Sequence, residues 1–289
     1  MKYLKKYFNY ILVSILVFSL IFIIYFIFNQ NKDSKYLKVV FLDIGQGDAI
    51  YIQAPNGKQV LIDGGSGKQI LPKLIRVMPI FDKSIDMVIA TNPDLDHIGG
   101  LVEVLKNYKV GTILESGIKP DTLIYKNLEE EILKNKVIKK NAQLGMHILL
   151  DEKENIYFDV LFPDRDVSDW ERNDGSIVGQ LVYKNKSFMF MGDATKYTEN
   201  LMEWNKDLKN LKSNVLKLGH HGSRTSTGVL WLERVDPDVA IISAGKNNTY
   251  GHPHKETINN LNSLGIKFLE TYKYGNLIFR TDGENLIFH

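Results

Sequence analysis

The chain has 289 residues, 44% of them hydrophobic and 24% charged, with a formal net charge of +2 and no cysteine. That length fits one domain of about 250 residues or two small ones. The small net charge is no argument for nucleic-acid binding, so any such substrate has to be argued from a site. The missing cysteine excludes disulfides, thiolate metal ligands and cysteine nucleophiles.

From Tyr7 to Phe28 the chain is apolar and uncharged, interrupted only by Asn9 and two serines. A helix of that length reaches about 33 Å, enough for a bilayer core of about 30 Å. Lys2, Lys5 and Lys6 precede it, which favours a cytoplasmic N-terminus and an outward-facing body, although lysines at 32, 35 and 38 reduce the contrast. The run ends in IFNQNKDSKY without a small-residue cleavage site. The expectation is a membrane anchor over residues 1–28, a polar linker over 29–36 and one domain over 37–289. The protein is then single-pass in the cell membrane, with its domain extracellular.

In the body, strands are expected at 38–43, 49–53, 59–63, 87–91, 111–115, 157–162, 177–183, 187–191, 214–218, 239–243 and 267–270, with a closing hairpin through 276–280 and 285–288 around Asp282-Gly283. Helices are expected at 69–77, 100–107, 122–135, 196–204, 227–234 and 255–264. Short turns join the early strands, and helices alternate with the later ones. The fold class is therefore α/β (α+β), with mixed sheets covered by helices.

Polar clusters follow directly on apolar strands: TNPDLDH, GDA, GHHGS and YGHP. Strand ends are where such a scaffold presents its site residues. Asp94, Asp96 and His97 share one loop, and Gly99-Gly100 reads as a tight turn into the following helix. Asp193 ends the strand FMFM, where a carboxylate is costly without a compensating cation or donor; it can also simply cap the next helix. His220 and His221 are adjacent at another strand end. Aspartate and histidine recurring at distant strand ends indicate a metal site assembled from several parts of the chain.

In order, the motifs FLDIGQGDAI, VLIDGG, TNPDLDHIGG, MGDA, LKLGHHGS and YGHP occupy 41–50, 60–65, 91–100, 191–194, 216–223 and 250–253. Over 37–289 this series resembles the metallo-β-lactamase-like domain at the C-terminus of the ComEC family of competence DNA-uptake proteins. The multi-pass channel of that family is replaced here by a single anchor. The resemblance implies a four-layer αβ/βα metallo-β-lactamase sandwich with two divalent ions, zinc or manganese, between the sheets. Asp96 and His97 would hold one ion with His220 or His221, Asp193 would bridge both, and Asp94 would serve the other. Asn92 stands where the family motif usually has histidine. The second site would then be mainly oxygen, from Asn92, Asp94, Asp193 and Asn173, a set that favours manganese or magnesium over zinc.

Such a pair of ions would activate water and stabilise charge on a phosphoryl or carbonyl oxygen. Asp94 or Asp96 would orient the water. His252, with Lys217 or Ser223, would contact a phosphate or protonate the leaving oxygen. Asp43–Asp48 reads as a hairpin turn, since no helix follows it as a nucleotide loop requires. That turn places Gln46 and Asp48 near the rim, and Asp63 is a hydrogen-bond partner for a ligand. Lys134, Lys136, Lys139 and Lys140 form a local basic patch, or simply a solvated helix end. The leading function is a metal-dependent phosphodiesterase, a nuclease on single-stranded DNA. The alternatives are a hydrolase of a small ester, lactone or phosphorylcholine substrate and a non-catalytic binding protein.

Overall fold

The computed structural model describes the backbone of residues 2–33 and 35–288 and the side chains of 7–22, 24 and 35–288. The chain opens with helix α1 (Lys2–Asp33), whose apolar side chains stand free of the body, Phe18 being 76% and Phe22 68% exposed. Among the described residues no helix is long and apolar enough to cross a membrane. Of the expected anchor, residues 1–6, 23 and 25–28 lie outside the described side chains, as do residues 29–34 of the expected linker.

The body is two similar halves. Strands β1 (Leu37–Phe41), β2 (Ile50–Gln53) and β3 (Gln59–Ile62) form an antiparallel meander. Helix α2 (Ile70–Val77) then leads to β4 (Ser84–Ala90), α3 (Leu95–Asn107) to β5 (Lys109–Glu115) and α4 (Leu123–Lys134) to β6 (Ile138–Asn141), each strand parallel to the one before. The second half repeats the plan. An antiparallel run of β7 (His147–Asp151), β8 (Ile156–Phe162), β9 (Val178–Tyr183) and β10 (Lys186–Phe190) comes first. Parallel steps follow through α5 (Lys196–Glu203) and β11 (Val215–Lys217), α6 (Val229–Val235) and β12 (Val239–Ile242), then α7 (Lys255–Ser263) and β13 (Lys267–Glu270). A short helix α8 (Thr271–Tyr274) returns the chain to β14 (Leu277–Thr281) and β15 (Leu286–Phe288), which extend the first sheet beside β1.

Among the described residues the sheets have eight and seven strands, in orders β15-β14-β1-β2-β3-β4-β5-β6 and β13-β12-β11-β10-β9-β8-β7. Alternation along the strands separates the cores. Val39 and Phe41 enter the layer between the sheets, with Phe158, Phe188, Phe190 and Phe279. Val40 and Leu42 point the other way, onto Leu74, Ile98 and Leu101 of α2 and α3. On the far side Met189, Leu216 and Ala240 pack against Trp231 and Leu261. The result is the expected four-layer sandwich, in which period-2 alternation buries both faces of each sheet.

Helix α8 was not expected, and two further features differ from the sequence reading. Strands β6 and β7 were not expected, because each is the terminal strand of its sheet and IKKN is largely exposed, so neither carries a strong apolar alternation. Helix α3 begins at Leu95 and not at Gly100, so Gly99-Gly100 is the thin side of a helix and not a turn. A Cβ on Gly100 would lie 1.9 Å from the Gly64 carbonyl oxygen, and its N–H donates to the Gly65 carbonyl at 2.7 Å. Gly47 admits the same helix from the other side, since a Cβ there would lie 2.1 Å from the Asp96 carbonyl oxygen. The two glycine contacts pin the first turn of α3, which carries Asp96 and His97, against the early hairpins.

Two of the four lysines of the expected basic patch are paired with carboxylates. Lys139 lies 2.7 Å from Glu115 and also pairs with Glu129, and Lys134 lies 3.1 Å from Glu131.

Candidate metal centre

The loops after β3, β4, β10, β11 and β12 meet at one edge of the sandwich. His97, fully buried in the first turn of α3, has its Nδ1 2.9 Å from Oδ2 of Asp63. Asp63 is itself fixed by the Thr91 N–H at 2.8 Å and the Thr91 hydroxyl at 2.5 Å. A carboxylate on Nδ1 sets the tautomer and leaves the Nε2 lone pair directed into the site. His221 is held in the same way: its Nδ1 lies 3.0 Å from the Ser243 carbonyl and 3.3 Å from Oδ1 of Asp48.

His220 and His221 both adopt left-handed backbone, with φ of 44° and 54°. That conformation costs roughly 1–3 kcal/mol per non-glycine residue and marks functional turns. It sends the two rings different ways. His221 is buried, while His220 keeps a 24% exposed side chain, its Nδ1 near the Thr225 hydroxyl at 3.0 Å and its Nε2 3.9 Å from Asp193. Of the two alternatives left open by the sequence, His221 is the one whose Nε2 faces Asp96 and Asp193.

The donor atoms left over define the site. His97 Nε2 lies 3.1 Å from Asp193 Oδ2, and His221 Nε2 lies 3.2 Å from Asp96 Oδ2 and 3.4 Å from Asp193 Oδ1. Ligands at 2.0–2.1 Å around a tetrahedral ion would be about 3.3 Å apart, a spacing these separations match. His97 Nε2, His221 Nε2, Asp193 Oδ1 and Asp48 Oδ1 are buried without a hydrogen-bond partner. Buried polar atoms are rarely left so, and a divalent cation would satisfy those it could reach. Asp96, His97 and His221 form one group able to hold an ion, and Asp48, His97 and Asp193 another that shares His97.

The electrostatics point the same way. Burial opposes charge on His97, yet Asp193 and Asp63 raise its pKa well above the ordinary value. Burial opposes it on His221 too, but Asp193, Asp48 and Asp96 push that ring up to about 9. Asp193 moves down despite burial, drawn by His221 and His97. The carboxylates therefore demand positive charge, which a divalent ion supplies while displacing the imidazole protons.

Several sequence-derived roles change. Asp48 is not at the rim but 1% exposed on the floor of the site. Lys217 is fully buried, its Nζ 2.6 Å from Asp48 Oδ2 and 2.8 Å from the Leu218 carbonyl, so it cannot reach a substrate phosphate. Ser223 is 3% exposed and its hydroxyl takes hydrogen bonds from the Thr225 N–H and hydroxyl, which assigns it to the shape of the loop. His252 borders the site, its ring 5.2 Å from that of His220 and 6.2 Å from that of His221. Burial, His220 and His221 lower its pKa to about 4, so near neutral pH it offers a neutral imidazole and not a stored proton. On the other flank, Asn92 and Asn173 bond to each other at 2.9 Å, and Asp94 is paired with Arg172. Arg172 was missed, because nothing in its local sequence signals a partner on another loop.

Glu199 braces the two ligand-bearing loops. It lies on α5, just after Asp193, and accepts the Thr227 and Gly228 N–H groups at 2.6 and 2.8 Å where α6 begins after the histidine pair. Burial raises its pKa to about 7 from 4.5, against the two backbone donors. A carboxyl with a raised folded-state pKa binds its proton more tightly when folded, so its contribution to stability falls as pH rises from 4.5 through 7. The shift corresponds to about 3 kcal/mol. Urea midpoints at pH 5 and pH 8 are expected to fall further for the wild type than for Glu199→Gln. Equal falls would assign the dependence to other groups.

Residues 42–246 match the family described as the Metallo-beta-lactamase superfamily. Among curated proteins, the chain is 32% identical over 269 residues to ComE operon protein 3 of Bacillus subtilis, covering 84% of this chain and 33% of that one. It is 28% identical over 251 residues to competence protein ComA of Neisseria gonorrhoeae, covering 83% and 32%. It is 33% identical over 133 residues to ribonuclease Z of Aeropyrum pernix, covering 44% and 41%. The chain thus spans about a third of the length of the competence-type relatives it matches.

Proposed function

This chain belongs to the Metallo-beta-lactamase superfamily, and from that premise we propose that it is a metal-dependent phosphodiesterase that cleaves single-stranded DNA at the outer face of a cell membrane. The observation that carries this reading is the convergence of unpartnered His97 Nε2, His221 Nε2 and Asp193 Oδ1 on one point beside an open rim. A divalent ion held there supplies Lewis acidity toward water and toward a phosphoryl oxygen. Asp96, with a 28% exposed side chain, is the member of the group open enough to orient that water. His220 and His252 border the same opening and can hydrogen-bond a phosphate oxygen.

Nucleic acid is favoured over a small ester by the rim. Tyr250, 64% exposed, stacks on the His252 ring at 5.7 Å and 21°. Such a face suits an unpaired base. The likeness to proteins named for competence and for ribonuclease activity supports the same substrate class.

For the anchor, the support is the apolar run Tyr7–Phe28. The hydroxyls of Ser14 and Ser19 donate back to the Tyr10 and Leu16 carbonyls at 2.9 Å, so these polar groups need no water.

The test is an assay of the full-length protein against single- and double-stranded DNA, RNA, a bis-aryl phosphate, an aryl ester and a lactone in manganese, magnesium and zinc. Chelator-sensitive cleavage of single-stranded DNA is the expected result. Turnover of the ester or lactone alone would replace this reading.

A further inference from the structure

We propose that the centre takes a single divalent ion, and that the guanidinium of Arg172 stands where a second ion would be held, neutralising Asp94 and offering its other N–H groups to an anionic oxygen. A second ion on this flank would draw on Asn92, Asp94 and Asn173, and Oδ1 of each already accepts a hydrogen bond from the protein. Asn92 is fully buried. Its Oδ1 accepts the Asp94 N–H at 2.9 Å, and its Nδ2 donates to Asn173 Oδ1 at 2.9 Å and to the Ser176 hydroxyl at 3.1 Å. The amide has one sensible orientation, because a flip would set its NH2 against the Asp94 N–H. The oxygens of both asparagines therefore each already accept a hydrogen bond from the protein.

Arg172 Nη1 is already on Oδ1 of Asp94. The unpartnered atoms locate the demand for a metal independently. Among the described residues, the buried atoms without partners include His97 Nε2, His221 Nε2, Asp193 Oδ1 and Asp48 Oδ1, but no side-chain atom of the fully buried Asn92 or Ser176. The unpartnered histidine nitrogens and aspartate oxygens thus lie on the opposite flank from Arg172.

A guanidinium is a fitting occupant of the other. It stays charged at every working pH, and its planar fork matches two oxygens of a phosphate. The Arg172 side chain is 42% exposed, so donors not used by Asp94 remain accessible. A fixed cation beside the reacting group stabilises developing oxyanion charge without itself being a metal ligand.

The claim about the anion rests on the phosphodiesterase reading, and the ion count does not, so the two fail separately. Full-length protein would be loaded with Mn2+, dialysed against metal-free buffer and analysed for manganese per chain and for its electron paramagnetic resonance signal. One ion with the spectrum of an isolated Mn2+ is expected, and two ions or an exchange-coupled pair would overturn the proposal. Inorganic phosphate titrated into the loaded protein is expected to bind about tenfold more weakly to Arg172→Ala, with Arg172→Lys recovering part of the loss. Unchanged phosphate affinity in Arg172→Ala, with native circular dichroism, would remove Arg172 from the site. The double variant Asn92→His/Arg172→Ala is expected to gain a second ion.

Discussion

His221→Ala is expected to lose the bound ion and with it hydrolysis, lowering metal affinity by about a thousandfold or more, whereas His220→Ala retains the ion and slows turnover by about ten- to a hundredfold. The residues are neighbours of one type in one turn, so only their surroundings separate them. The Ser243 carbonyl holds Nδ1 of His221 at 3.0 Å and directs Nε2 between Asp96 and Asp193. No such partner aims His220, whose Nδ1 faces the Thr225 hydroxyl. Asp63→Asn provides a graded control, since it weakens only the orientation of His97 and is expected to cost about 10–100-fold in affinity. Metal content after dialysis, measured beside turnover, checks all three variants. An ion retained in His221→Ala but lost in His220→Ala would exchange the two assignments.

This asymmetry marks what could be read from the chain. Asp96-His97, Asp193 and the histidine pair were legible because each is a local run following an apolar strand, and strand ends share an edge by topology. The partners that complete the centre are encoded at long range. Arg172 and Asp94 are 78 residues apart, and Lys217 and Asp48 are 169 apart. A lysine in a motif reads as a phosphate contact until the fold shows it wholly buried. The fold obeys the same division. Both-face burial made the central strands conspicuous, but β6 and β7 close the sheets with one side open and carry little apolar pattern. Gly99-Gly100 suggested a turn because glycine frees the backbone, and it serves here because glycine has no side chain against the Gly64–Ser66 backbone.

Lys217→Met is expected to destabilise the protein by about 3–5 kcal/mol, because it strands the Asp48 carboxylate in the interior. Lys217 sits on β11 between β10 and β12, fully buried, and its ammonium is the nearest compensation for Asp48. Burial pushes the Asp48 carboxyl up, but Lys217 and then His221 bring it below its ordinary value, so the carboxylate persists only while they face it. Asp48→Asn strands the lysine instead and is expected to cost a similar amount. The double variant Asp48→Asn/Lys217→Met leaves no unpaired charge and is expected to recover most of the loss, giving a large interaction energy in the cycle. Urea unfolding in chelator measures this without the stabilisation a bound ion adds. Additive losses across the cycle would sink the pairing. Metal affinity distinguishes a second role, because Asp48 Oδ1 is among the unpartnered atoms facing the centre while Oδ2 holds Lys217. If the double variant regains stability but not metal, Asp48 serves the centre directly, its Oδ2 held by Lys217 while the carboxylate faces the ion.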